Sequence, residues 1–133
     1  MSQICFCDSG KAFDQCCKPF ITEVKIAKTP VQLMRSRYTA YALGGYGTYL
    51  LKTWFPPMAQ GLNAAELSQR TINWQRLEVL GKSQEGDHGT VEFNAYFLPE
   101  NADTLEIMHE LSEFQRIAGR WLYVGKLVAG ENE

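Results

Sequence analysis

Apolar residues recur at intervals of three and four between Pro30 and Leu43, and after Asn73 the interval falls to two. The first spacing is that of an amphipathic helix and the second that of half-buried strands. Thr29 reads as an N-cap, Pro30 as the first helical residue and Gln32 as the third, so the helix starts there and runs to about Leu43, where Gly44-Gly45 ends it. A shorter helix is predicted from Tyr46 or Gly47 through Trp54, closed by Pro56-Pro57, and a third helix or turn around Asn63 to Thr71. Four strands follow: Gln75–Ser83, Thr90–Leu98, Thr104–Ile117 and Trp121–Leu127. Gly86-Asp87 and Ala118-Gly119 read as hairpin turns, and Pro99–Asp103 as a longer link. Helices followed by an antiparallel meander define an α+β fold in which helices cover one face of a curved sheet.

One residue breaks the helical pattern. Leu33, Met34, Tyr38, Tyr41 and Ala42 form the apolar stripe of the first long helix, and Arg37 falls inside it. A charge drawn into an apolar surface needs a partner. On the third strand Met108, Glu110, Ser112 and Phe114 share a face, and Glu110 is the acid among them, so an internal Arg37–Glu110 ion pair is predicted. The competing reading has Arg37 laying its stem along the core edge with its head in water. The same face could enclose a ligand pocket lined by Arg37, Tyr38, Tyr41, Trp54, Trp74, Phe93, Met108, Glu110, Ser112 and Phe114. Large aromatics also dominate ordinary interiors, so the set reads as core before it reads as pocket. His109 alternates onto the face opposite Glu110, and His88 is expected in a hairpin turn, so neither meets a nucleophile and no catalytic constellation is predicted.

Composition bounds these readings. The chain has 133 residues, 45% of them hydrophobic, enough for one ordinary core. A net charge of −2 argues against a general nucleic-acid binder, although Lys11, Lys18, Lys25 and Lys28 gather near the N-terminal end and leave a nucleic-acid or ribosomal contact as a secondary expectation. No apolar run approaches the length of a membrane span.

All four cysteines lie in the first seventeen residues, as Cys5-Phe6-Cys7 and, after eight residues, Cys16-Cys17. Two readings compete for them. Four thiolates on so short a segment suit a tetrahedral metal site, above all zinc. Disulfides are the alternative: a bridge between adjacent Cys16 and Cys17 would be strained, and the cross-pairings call for an oxidising compartment, whereas the segment Met-Ser-Gln-Ile-Cys has neither the basic nor the apolar region of an export signal. Zinc and a cytoplasmic location are therefore the expectation. Asp8-Ser9-Gly10 supplies the tight reversal, and Lys11 and Lys18 are placed to offset the thiolate charge. With every ligand supplied by the protein, such a site is structural rather than catalytic.

The spacing Cys5-x-Cys7-x-Ser9-Gly10-x5-Cys16-Cys17 resembles the SEC-C motif, the zinc knuckle at the C-terminal end of the SecA preprotein-translocase motor, where the last ligand is commonly His and here would be Cys17. The segment Thr29-Pro30-Val31-Gln32-Leu33-Met34-Arg35-Ser36-Arg37-Tyr38-Thr39-Ala40-Tyr41, with Thr53-Trp54 and His109-Glu110-x-Ser112-x-Phe114, extends the likeness to the YchJ-type (UPF0225) bacterial family. Phe55 and Phe6 depart from the pattern, which usually has a polar residue and a proline there. The resemblance implies a zinc knuckle over residues 1–22 and an NTF2-like, cystatin-like domain over 28–130, a scaffold that often dimerises through its outer sheet face. It carries over no reaction. Two functions follow as expectations: a module whose knuckle docks on another protein, or a small-molecule binder or enzyme with its pocket between the first long helix and the sheet.

Overall fold

A computed structural model describes residues 3–127. Four α-helices, α1 (Lys18–Ile21), α2 (Pro30–Leu43), α3 (Gly47–Lys52) and α4 (Ala64–Leu67), precede four strands, β1 (Trp74–Glu85), β2 (His88–Phe97), β3 (Glu106–Ile117) and β4 (Arg120–Lys126). The strands pair in the order β1-β2-β3-β4, all antiparallel, as the α+β reading requires. Register shifts at Trp74/Arg76 and Val79/Gly81 of β1 and at Glu113/Phe114 of β3 mark bulges, which bend a sheet toward one face. Leu77, Val91, Phe93, Ala95, Phe114 and Trp121 line that inner face and α2 packs on it. Among the described residues no helix is long and apolar enough to cross a membrane. The expected domain end at residue 130 lies outside the described residues.

The predicted start of α2 is present in full: the Thr29 hydroxyl accepts from the Gln32 N–H at 3.1 Å, and Pro30 opens the helix. The helix departs from expectation in its burial. Ser36, Thr39 and Ala40 are buried as well as Leu33, Met34 and Tyr38, so α2 is enclosed on three faces rather than along one stripe. At about 100° per residue, Met34, Tyr38 and Tyr41 point one way, Arg35 and Thr39 roughly 120° round, and Ser36 and Ala40 farther still. The first group faces the sheet. The second meets the cysteine loop, where Thr39 bonds Cys17, and the third meets α3, where the Ser36 hydroxyl lies 2.6 Å from the Tyr49 hydroxyl. Small polar side chains allow this close approach while keeping their hydrogen bonds.

α3 stops at Lys52, two residues short of the predicted end. Thr53 turns its hydroxyl back onto the Tyr49 and Leu50 carbonyls, and Pro56 favours an extended residue before it. Trp54 therefore leaves the helix and pairs in parallel with Tyr123 of β4, held by Tyr123 N–H to Thr53 O and Phe55 N–H to Tyr123 O, both 2.8 Å. α4 is also shorter than the predicted 63–71, capped by Asn63 through the Glu66 N–H at 2.8 Å.

Where α3 approaches α4, a Cβ on Gly47 would lie 1.8 Å from the Ala64 carbonyl oxygen, a contact with backbone that cannot swing aside. Gly47→Ala is expected to destabilise the protein by about 3 kcal/mol, the upper part of the overpacking range. Urea denaturation monitored by circular dichroism checks this, and a loss within experimental scatter of wild type would contradict the packing described.

Candidate functional sites: a cysteine cluster and a cavity sharing one helix

The N-terminal loop is a small hairpin closed by an Ile4–Ala12 bridge, with Cys5 N–H to Lys11 O at 2.9 Å and Phe13 N–H to Gln3 O at 2.7 Å. Asp8 and Gly10 take positive φ, 63° and 86°, which produces the reversal between the two cysteine pairs. Cys17 sits at the N-cap of α1. The four Sγ atoms all lie within 4.8 Å of one another, with Cys7–Cys16 at 3.5 Å and Cys16–Cys17 at 4.0 Å. A tetrahedral ion with metal–sulfur bonds of about 2.3 Å holds its sulfurs about 3.8 Å apart, so the donor set fits a metal ion.

Charge at this cluster is handled by hydroxyls. Thr39 Oγ1 donates to Cys17 Sγ at 3.3 Å and lies 3.9 Å from Cys5 Sγ, and Ser9 Oγ lies 3.1 Å from Cys16 Sγ. The Arg35 guanidinium donates to the Cys7 carbonyl. Lys18, expected to offset the thiolates, is exposed and 3.7 Å from Asp14 instead. Hydrogen bonds from the Cys17 and Cys5 thiols drive the Cys7 pKa far down, while hydrogen bonds with Cys5 and then Cys7 drive Cys17 up and burial raises Cys16 to about 11.

The loop does not stand off from the rest of the chain. Cys5, Cys7 and Cys17 belong to the same buried cluster as Leu33, Met34 and Phe93, with Phe6 and Phe20 packed against it. The Asp8 carboxylate accepts the Leu77 N–H of β1 at 2.8 Å.

On the sheet side of α2 lies a cavity of about 280 Å³. Arg37, Tyr38, Tyr41, Trp54, Trp74, Glu110, Ser112 and Phe114 all line it, joined by Met34, Gln69, Thr71, Ile72, Phe93, Ala95, Met108 and Tyr123. Tyr123 escaped the sequence reading, although alternation from Trp121 places it on the inner face of β4.

The predicted Arg37–Glu110 ion pair does not form. Arg37 Nη1 donates to the Leu50 carbonyl at 2.7 Å and to Thr53 Oγ1 at 2.6 Å. The guanidinium carbon sits 4.7 Å from the Trp54 ring and 4.8 Å from the Tyr123 ring. Burial pushes the Arg37 pKa down from its ordinary value, against the opposing influence of Tyr41, Tyr123, Tyr49 and Glu110. Glu110 is occupied elsewhere: its Oε2 accepts from Ser112 Oγ at 2.5 Å and from the Tyr123 hydroxyl at 2.9 Å. Burial, then the charge of Glu110, holds the Tyr123 phenol above its usual range and keeps it a donor. The histidines lie apart from this face: His109 meets Glu92 at 2.7 Å, and His88, at the start of β2 rather than in a turn, meets Glu113 at 2.9 Å.

Fold and sites together define an NTF2-like α+β protein carrying a SEC-C-type cysteine loop. The family model "YchJ, middle NTF2-like domain" matches residues 29–126, so the chain belongs to the YchJ-type (UPF0225) family. It is 38% identical to UPF0225 protein SG1365 of Sodalis glossinidius over 99% of this chain and 89% of that one. It is 37% identical to UPF0225 protein PC1_1977 of Pectobacterium carotovorum over 100% and 90%. The solution structure of RPA3114, a SEC-C motif containing protein from Rhodopseudomonas palustris, superposes with a TM-score of 0.83 at 35% identity, covering 94% of this chain and 98% of that one. The crystal structure of a SEC-C motif containing protein from Psychrobacter arcticus gives 0.79 at 26% identity, covering 92% and 80%.

Arg37→Met leaves the Leu50 carbonyl with only the longer bond from the Thr53 hydroxyl, removes the donor to Thr53 Oγ1 and empties the space between two rings, and is expected to cost about 2–4 kcal/mol. Glu110→Gln retains an oxygen for both hydroxyl donors and should stay within about 1 kcal/mol of wild type. Chemical denaturation of the two variants side by side checks the ranking, and equal losses would contradict it.

Proposed function

We propose that the protein binds a small molecule in the cavity between α2 and the sheet, and that a structural zinc ion on the four cysteines secures the helix forming the cavity wall. The observation that carries this reading is the cavity itself, a half-open, mostly apolar space lined by a buried arginine and a glutamate that do not pair with each other. The zinc assignment is supported by the four-sulfur donor set and its spacing. Cys5, Cys7, Cys16 and Cys17 would fill all four positions, leaving the ion no open site for a substrate. Its role is to join the hairpin, α1 and, through Thr39, α2.

Docking of the cysteine loop on another protein is the second reading. It is favoured by Ile4 and Val24, 59% and 76% exposed, on the loop and just after α1. Phe6 and Phe20, the aromatic residues beside the cysteines, are half-buried against the core rather than free on the surface, and we rank the cavity first for that reason.

Protein purified under reduction without chelator should carry about one zinc per chain by elemental analysis, and a Cys16→Ser, Cys17→Ser double variant should carry none. Phenol titrated into the zinc-loaded protein should shift the Trp54 and Trp74 indole signals saturably in proton–nitrogen NMR spectra, leave Trp121 in place, and lose both effects in Ala95→Met, which fills the cavity. Shifts that never saturate, or that survive Ala95→Met, would count against the pocket. Absence of zinc from the wild type would count against the metal.

A further inference from the structure

Arg37 is 5% exposed, yet its hydrogen-bonding capacity is only partly used. Nη1 serves Leu50 O and Thr53 Oγ1, while Nε and Nη2 have no hydrogen bond of ordinary geometry to any described residue. Arg37 lines the cavity, so the guanidinium edge not taken up by Leu50 and Thr53 is available to a molecule bound there. Glu110 offers the opposite polarity: Oε2 takes both hydroxyl donors, and Oε1, with no hydrogen bond from any described residue, belongs to a residue lining the same cavity. Tyr41 lines the cavity beside them, its hydroxyl within hydrogen-bonding reach of Arg37. Arg37, Tyr41 and Glu110 are close enough to influence one another electrostatically.

This inventory restricts the ligand. A monoanion would gain from Arg37 and be opposed by Glu110, and a cation the reverse. A purely apolar molecule would leave a guanidinium edge and a carboxylate oxygen facing hydrocarbon, each costly without a partner. A neutral head that accepts at one atom and donates at the next serves both. The remaining walls, Tyr38, Trp74, Phe93 and Met108, are flat or pliable and suit a ring. A volume of about 280 Å³ sits at the small end of ligand pockets. We infer that the cavity takes an uncharged, ring-sized molecule with an amide-type head, primary amide or lactam, whose oxygen accepts from Arg37 and whose N–H donates to Glu110. This assignment rests on the pocket reading above and adds the ligand's chemical class.

Four probes of one size separate the possibilities: benzamide, benzoate, benzamidinium and toluene, each titrated into the full zinc-loaded chain with the Trp54 and Trp74 indole signals as reporters. Benzamide is expected to bind about tenfold more tightly than benzoate or toluene. Glu110→Gln, which removes the opposing charge, is expected to raise benzoate affinity about tenfold and so erase the preference. Benzoate or benzamidinium binding tightest, toluene equalling benzamide, or an unchanged benzoate-to-benzamide ratio in Glu110→Gln would overturn the ligand class while leaving the pocket standing. Silence from all four probes would overturn the class and the pocket together.

Discussion

Arg37 is a cation held inside a small protein with no carboxylate of the described residues bonded to it, and much of the architecture can be read as the means of keeping it there. A buried guanidinium demands acceptors fixed in place. Those acceptors are the Leu50 carbonyl, freed where α3 ends, and the Thr53 hydroxyl, which also terminates that helix. The chain then turns extended, so that Trp54 pairs with Tyr123 and their two rings come to lie against the guanidinium. Helix end, edge pairing and cation are one arrangement, and altering any of them disturbs the others.

The same helix explains why the cysteine loop and the cavity belong to one account. Thr39 bonds the sulfurs and Arg35 bonds the loop backbone, while Arg37, Tyr38 and Tyr41 form the cavity wall within the same two turns. A rigid helix transmits position from one face to another without a conformational change. In the proposed account, zinc therefore acts on the cavity only by fixing α2, a division of labour consistent with an ion whose ligands would all be protein sulfurs.

Much of this was legible in the sequence, and what was not has a physical pattern. Thr29, Pro30 and Gln32 mark the start of α2 because capping is local, and period-two alternation locates the four strands because pleating is local as well. The cysteine spacing and the composition of the inner face likewise name the side chains that the fold gathers. The misreadings that bear most on the site are non-local. Glu110 was expected to neutralise Arg37, but every residue carries a carbonyl, so a main-chain acceptor such as Leu50 O leaves no trace in side-chain patterns. Ser36 and Thr39 look like solvent-facing residues until a hairpin and α3 are folded onto them. Trp54 continues a helical pattern but is recruited by a strand nearly seventy positions later in the chain.

The most direct test of the account is amide hydrogen exchange, followed by NMR, on reduced protein with zinc bound and with zinc removed by a chelator. If the ion secures the helix that forms the cavity wall, removing it should speed exchange in the cysteine loop, through α2 to Tyr41, and in the Leu50–Trp54 segment that grips Arg37. Faster exchange confined to residues 3–21, with α2 and Leu50–Trp54 unchanged, would contradict the claim that the metal site and the cavity depend on one another.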